Sequence, residues 1–81
     1  GNENFNAEHQ ALITQNPVIS DLNINTSRSL EKVIVTDLFG KKIIEVNNPE
    51  VRINVEVLKS GIYILQAISE GKSYTEKFIK L

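Results

Sequence analysis

The chain has 81 residues, of which 41% are hydrophobic and 23% charged, and its formal net charge is −1. A chain of this size forms one domain around a single two-layer core, and so small a net charge gives no overall attraction to nucleic acid or anionic lipid. The absence of cysteine excludes disulfides, thiolate metal sites and cysteine nucleophiles. No apolar run approaches the roughly 20 residues that span a bilayer, and no signal peptide is evident. If the protein is exported, we expect its signal peptide upstream in a longer precursor.

The elements in chain order begin with a polar leader. Residues 1–10 are rich in Asn and Glu, which is typical of a linker, so we place the folded domain at residues 11–81. In that domain the alternation of apolar and polar residues predicts seven short strands, separated by turn signals such as Asn16-Pro17. The predicted strands cover residues 11–14, 21–25, 30–37, 42–46, 51–55, 62–69 and 73–81.

The third and fourth predicted strands form a hairpin. Val33 and Val35 alternate with polar or partly covered positions and are expected to face the core. Gly40 stands where the connection requires a positive φ. In the return strand, either Ile43 or Ile44 faces inward.

The sixth predicted strand is apolar on both faces, which favours a central position in a sheet. Ser60-Gly61 turns the chain into it, and residues 70–72 form a tight hairpin after it. Regular short strands without a helical period predict an immunoglobulin-like antiparallel β-sandwich.

No combination of residues predicts an active site, so we expect a protein that is not an enzyme and needs no cofactor or metal. His9, the only histidine, lies in the polar leader without a second ligand at metal spacing. Asp21 and Asp37 each flank a turn, where a carboxylate usually accepts hydrogen bonds from the local backbone. Lys41-Lys42 is more typical of a solvated hairpin edge than of a phosphate site.

The end of the chain combines basic and apolar residues. Lys77 and Lys80 flank Phe78 and Ile79. Charged residues on an edge strand protect it from aggregation, and a functional basic tail is the other interpretation.

Four motifs in chain order resemble those of the C-terminal sorting domains of the type IX secretion system of Bacteroidetes. They are Asn16-Pro17-Val18 followed by Asp21-Leu22-Asn23-Ile24, then Val33 to Lys41 ending in Asp37-Leu38-Phe39-Gly40-Lys41, then Leu58 to Leu65 containing Gly61 and Tyr63, and finally Lys77-Phe78-Ile79-Lys80-Leu81. The match covers about residues 13–81 of this sequence. Gln15, Thr36 and Lys59 depart from the family's frequent Pro, Tyr and Pro, without removing a core strand.

The resemblance implies a domain that acts as an export address at the end of a cargo protein. In this family the cargo crosses the inner membrane by its own signal peptide, and the sorting domain is recognised from the periplasm by the outer-membrane translocon. A sortase-like cell-surface peptidase then usually removes the domain, and the cargo is released or joined to anionic lipopolysaccharide. The implied partners are therefore the translocon, the peptidase and an N-terminal cargo domain, with no nucleic acid. The polar leader is the expected region of cleavage, and the sequence carries no argument for an oligomeric state.

From these motifs we predict two groups of functional residues. The translocon recognition segment, which would add to a receptor sheet edge through its main chain, is Lys77, Phe78, Ile79, Lys80 and Leu81. The residues of the other motifs and turns are Asn16, Pro17, Asp37, Gly40, Lys41, Gly61 and Tyr63.

Two alternatives to a sorting signal remain at this point. An adhesion or carbohydrate-binding accessory module would need an exposed aromatic platform, yet the chain has only five aromatic residues, three Phe and two Tyr, and Tyr63 is expected in the core. A purely structural spacer is the other alternative.

Overall fold

The structure, a computed structural model, describes Ile13, residues 15–26 and residues 29–81. Within these residues the regular secondary structure is entirely β, and no helix is long and apolar enough to cross a membrane. The defined strands are β1 (Asp21–Asn23), β2 (Lys32–Thr36), β3 (Lys42–Asn47), β4 (Arg52–Asn54), β5 (Gly61–Ser69) and β6 (Lys72–Lys80).

The strands form two antiparallel sheets. The larger has the order β3-β2-β5-β6, and the smaller contains β1 and β4. These correspond to the C′–C–F–G strands and to the B and E strands of an immunoglobulin domain. The predicted all-β, immunoglobulin-like sandwich is confirmed.

The number of strands is six where the pattern predicts seven. The leader, residues 1–10, lies outside the described residues, and so does the predicted first strand except for Ile13. Ile13 makes an isolated antiparallel bridge with Ile24. The segment therefore meets the smaller sheet at this one described position.

The core lies between the sheets and follows from the alternation of side chains. Val33 and Val35 of β2 are fully buried, which confirms their predicted inward face, and Leu65 and Ala67 of β5 are buried with them. Burying one such branched side chain contributes about 1.5–3 kcal/mol. The buried apolar residues are Ile13, Val18, Leu22, Ile24, Leu30, Val33, Val35, Ile53, Val55, Leu58, Tyr63, Leu65, Ala67 and Phe78.

Strand β5 is central, as its two apolar faces predict. It pairs with β2 on one side and with β6 on the other. On the outward face Ile64 and Ile68 are half-buried and Ile62 is 44% exposed. This strand therefore joins the terminal strand to the rest of the sandwich.

Strand β3 carries an irregularity that decides which of its isoleucines faces inward. The pairing register between β2 and β3 shifts between Val35 and Thr36, so that Val35 faces Ile44 and Thr36 faces Lys42. Ile44 packs against the core, while Ile43 is 41% exposed. The extra residue is a β-bulge, a feature that local alternation alone does not reveal.

The β5–β6 hairpin closes with a two-residue connection. Glu70 and Gly71 have φ angles of 53° and 77°, and two consecutive positive values are what a type I′ turn requires. The Gly71 N–H also donates to the Glu31 carboxylate at 3.2 Å. The connection sets the register of the terminal strand, in which Phe78 faces Tyr63.

Candidate recognition surface

The terminal strand β6 divides the predicted recognition segment between two faces. Phe78 is fully buried and Lys80 is 7% exposed. Lys77, Ile79 and Leu81 are exposed on the other side. Side chains alternate across a strand, so only the second group can meet a partner without a change of fold.

Phe78 anchors the terminal strand in the core. Its ring lies 5.9 Å from the Tyr63 ring, with 29° between the ring planes. Offset aromatic pairs of this kind stabilise a core beyond their buried area. The Tyr63 hydroxyl donates to the Lys59 main-chain oxygen at 2.8 Å, which satisfies the polar end of this buried side chain.

Lys80 lies on the inward side at the end of β6, opposite Gly61. Gly61 is the first residue of β5 and has a φ of 158°, close to fully extended. The Lys80 ammonium donates to the Leu81 main-chain oxygen at 2.7 Å. This bond satisfies a cation whose stem is buried, as burial of a charged group requires.

The outer edge of the terminal strand is covered by the segment Asn16–Val18. The Ile79 N–H donates to the Asn16 side-chain oxygen at 3.0 Å. The Val18 N–H donates to the Ile79 oxygen at 2.7 Å, and the Leu81 N–H donates to the Val18 oxygen at 2.8 Å. The first and last motifs of the chain are thus held side by side, in a parallel bridge between Val18 and Lys80.

Val18 is the member of this contact that sequence reasoning did not select. It is 1% exposed and belongs to the core. Its position after Asn16-Pro17 was visible as part of the first motif, but pairing between residues some 60 positions apart has no local signal. The Asn16–Pro17 peptide bond is cis.

The hydrogen bonds from Asn16–Val18 affect the prediction that a receptor adds a strand to the edge of the terminal segment. The main-chain groups of Ile79 and the N–H of Leu81 are already bonded to Asn16 and Val18. A receptor strand would have to displace this segment to reach the same edge. Recognition at the end of β6 is therefore expected to use side chains.

The β2–β3 connection is held by the Asp37 side chain. Its Oδ1 accepts from the main-chain N–H groups of Phe39 and Lys41, each at 2.9 Å. The Gly40 N–H donates to the Asp37 main-chain oxygen at 3.1 Å, and Gly40 has a φ of 86°. A type I turn followed by a left-handed residue is a common three-residue hairpin loop, and glycine takes that conformation without steric cost.

The predicted motif residues meet at one end of the sandwich. Thr36 pairs with Ile64, so the 37–41 loop lies beyond that level, beside the start of β5. Gly61 pairs with Lys80 at the same end, and Val18 bridges to Lys80 there. We call this the apical end; the opposite end holds the Glu70-Gly71 turn.

The ion pairs on the described surface are formed around one residue, Glu45. Glu45 lies 2.7 Å from the Lys42 ammonium and 3.2 Å from that of Lys32. The hydrogen bond from Lys42, followed by that from Lys32, holds the pKa of the Glu45 carboxyl below its usual range. Among the described residues, the ion pairs found are these two.

No cluster of three or more His, Cys, Asp or Glu side chains that could hold a metal ion occurs in the described ranges.

Comparison with known proteins agrees with the motif pattern. A family model described as the secretion system C-terminal sorting domain matches residues 15–81. No curated protein matches the chain. The matched range contains the covering segment, the Asp37 turn and the whole terminal strand. The chain belongs to the family of secretion system C-terminal sorting domains, the sorting signals of type IX secretion.

Proposed function

We propose that the outer-membrane translocon recognises this domain in its folded state, through the outward side chains at the end of β6. As a member of its family the chain is a type IX sorting signal, which directs an attached N-terminal cargo through the outer membrane to the cell surface or the extracellular space. The family is not an enzymatic one. The proposal concerns which surface the secretion machinery binds.

The observation that carries the proposal is the split of the terminal segment into two faces. Lys77, Ile79 and Leu81 form an exposed strip, with Ile79 44% and Leu81 60% exposed. Ile62 lies opposite Ile79 on β5 and is also 44% exposed. Together the strip and Ile62 offer three adjacent apolar side chains and one ammonium group, a combination suited to an apolar receptor surface that carries a carboxylate.

The strip is also held in a fixed geometry. Phe78 and Lys80 are buried on the inner side, while Asn16 and Val18 occupy the outer edge. A preorganised strand loses little conformational entropy when a receptor binds it. In this proposal Phe78 and Lys80 act by positioning the strip, and Asn16–Val18 acts as a clamp.

The remaining steps of export fit an orientation in which the end of β6 faces the translocon. Ile13 bridges to Ile24, and Ile24 bonds to Val51, so the described chain begins on the side away from Leu81. We propose that cargo and peptidase approach from that side, after transit through the periplasm. The sortase-like peptidase would then cut in residues 1–10, without access to the apical end.

The test is secretion of a fluorescent reporter that carries a signal peptide and this domain, in a bacterium with the type IX system. Simple deletion of Lys77–Leu81 would also remove buried Phe78, so loss of export would not separate recognition from folding. We therefore choose Lys77→Glu, Ile79→Ser and Leu81→Ser together. We expect export to fall severely while the melting temperature of the purified domain changes little.

The matched control is Ser73→Glu with Thr75→Glu, on the same outward face of the same strand. This variant should be exported normally. Equal export of the strip variant and the control would contradict recognition through the strip.

A carbohydrate-binding module gains no support from the aromatic side chains. Tyr63 and Phe78 are buried, and Tyr74 is half-buried. Among the described aromatic residues, Phe39 alone is largely exposed to solvent. A single ring does not form the platform that a sugar-binding surface needs.

A further inference from the structure

Two loop tips at the apical end expose large apolar side chains that the proposed strip does not use. At the tip of the β2–β3 hairpin, Leu38 is 54% and Phe39 96% exposed. On the connection between β4 and β5, Val57 is 78% exposed. Single exposed apolar residues are ordinary, but here they occupy the tips of two loops at the same end.

Both loops are held firmly by their own hydrogen bonds. The Asp37 carboxylate binds two N–H groups of the first loop. In the second loop the Leu58 side chain is buried, its N–H donates to the Val55 oxygen at 3.0 Å, and the Lys59 oxygen accepts from Tyr63. The apolar tips are thus presented by fixed turns.

A lysine follows each tip after one residue. Lys41 follows Phe39, and Lys59 follows Val57. Both lysines are exposed, and neither forms an ion pair with a described residue, whereas Lys32 and Lys42 are both paired with Glu45.

Each loop also carries one carboxylate, which is hydrogen-bonded to neutral N–H groups and not to the lysine ammonium of its loop. One Asp37 oxygen is bonded to the backbone of its own turn. Glu56 is exposed, and its side chain accepts from the Asn54 amide at 3.2 Å, back along β4. The two tips therefore combine apolar side chains with exposed ammonium groups that form no ion pair with a described carboxylate.

We infer that the apical end docks on an anionic lipid bilayer, with Leu38, Phe39 and Val57 entering the headgroup boundary and Lys41 and Lys59 meeting lipid phosphates. Apolar tips with lysines behind them match the chemistry of an interfacial anchor. A fluid bilayer accepts two separate convex tips without a preformed pocket, whereas a protein would need a matching cavity for each. This inference does not depend on the proposed recognition of the strip.

The chain contains no tryptophan, which allows a direct spectroscopic test. We would place a single reporter by Phe39→Trp and measure its emission with phosphatidylglycerol vesicles and with phosphatidylcholine vesicles. The expected result is a blue shift with phosphatidylglycerol, lost at high salt because the lysine contribution is screened. The control is Val51→Trp, since Val51 is 45% exposed but lies away from the apical end. An unshifted Phe39→Trp emission, or an equal shift of both reporters, would overturn the inference.

Sedimentation of the 81-residue chain with the same vesicles gives the second readout. Leu38→Ser with Phe39→Ser should lower the bound fraction about tenfold or more, and Lys41→Glu with Lys59→Glu should lower it as well. Val51→Ser and Lys72→Glu are the matched controls, and both should bind like the parent. If the parent does not sediment, or if the tips bind a detergent-solubilised receptor and not vesicles, a lipid occupant is refuted.

Discussion

Substitutions at adjacent residues of the terminal strand should abolish export for different reasons. Phe78 is fully buried against Tyr63, and truncation of a buried phenylalanine to alanine costs about 3–5 kcal/mol. At about 0.05–0.15 kcal/mol per residue, a chain of this length has a free energy of unfolding of about 4–12 kcal/mol. Phe78→Ala should therefore remove a large part of the stability, or all of it.

The expected change in melting temperature follows from the size of the domain. One kcal/mol shifts the melting temperature of a domain of 60–100 residues by about 4–8 °C, so Phe78→Ala should lower it by at least about 12 °C. Ile79→Ser removes a side chain that is 44% exposed, and substitutions at such strand positions change stability by at most about 1 kcal/mol.

Circular dichroism melting of the two purified variants, followed by reporter export, separates the two effects. We expect Phe78→Ala to lose export together with folding, and Ile79→Ser to lose export while folded. A Phe78→Ala domain that melts within a few degrees of the parent would refute the assignment of Phe78 to the core. Equal destabilisation by both variants would refute the two-faced arrangement of the strand.

Three further predictions concern the loops and the sheet edge. Asp37→Ala removes the acceptor for two main-chain N–H groups and should cost about 1–3 kcal/mol; denaturant titration checks this, and Asp37→Asn, which keeps a side-chain oxygen, should lose less. In Gly40→Ala the added Cβ meets no atom within 4 Å, but alanine must adopt a φ of 86°. We therefore expect the free energy of unfolding to fall by about 1–2 kcal/mol, and by less in Gly40→Asn. Identical stability of Gly40→Ala and the parent would count against this turn geometry. The pKa of the Glu45 carboxyl is lower in the folded chain than in the unfolded one because of Lys42 and then Lys32. Ionisation of Glu45 therefore stabilises the folded chain at pH values above the unfolded pKa. This contribution to stability disappears as the pH falls through the folded pKa. The melting temperatures of the parent and Glu45→Gln should therefore converge on acidification, and a gap that persists or widens in acid would contradict the ion pairs.

The strands that can be predicted from the sequence are those in which the apolar pattern of neighbouring residues shows which side chains are buried. β5 is apolar on both faces and lies between two neighbours, and the inward positions Val33 and Val35 follow from a period of two. The β5–β6 turn follows from Glu70-Gly71 because that connection tolerates few residue types. Local chemistry therefore determined most of the larger sheet.

What the sequence did not reveal depends on contacts between distant parts of the chain. The choice of Ile44 over Ile43 follows from a bulge whose extra residue is defined only by pairing with β2. The clamp of Asn16–Val18 on Ile79 and Leu81 joins the two ends of the domain. Pairing of that kind leaves no periodic pattern in either segment, because each side supplies only three bonded groups.

The recognition segment shows the same division. The sequence predicts the terminal motif as a unit, but the structure divides its side chains between a buried face and an exposed face. That depends on the register with β5, in which Phe78 faces Tyr63 and Ile79 faces Ile62. The motif identifies the residues, and the strand register determines which of their side chains are exposed.

The most direct test of the central proposal is photocrosslinking in cells that secrete a reporter fused to this domain. A photoreactive amino acid would be placed at Ile79 in the strip or at Thr75, further along the same outward face. Recognition of the folded domain through its terminal strip predicts a crosslink to an outer-membrane translocon component from position 79 and little or none from position 75. Equal crosslinks from both positions, or a crosslink from position 75 alone, would contradict it.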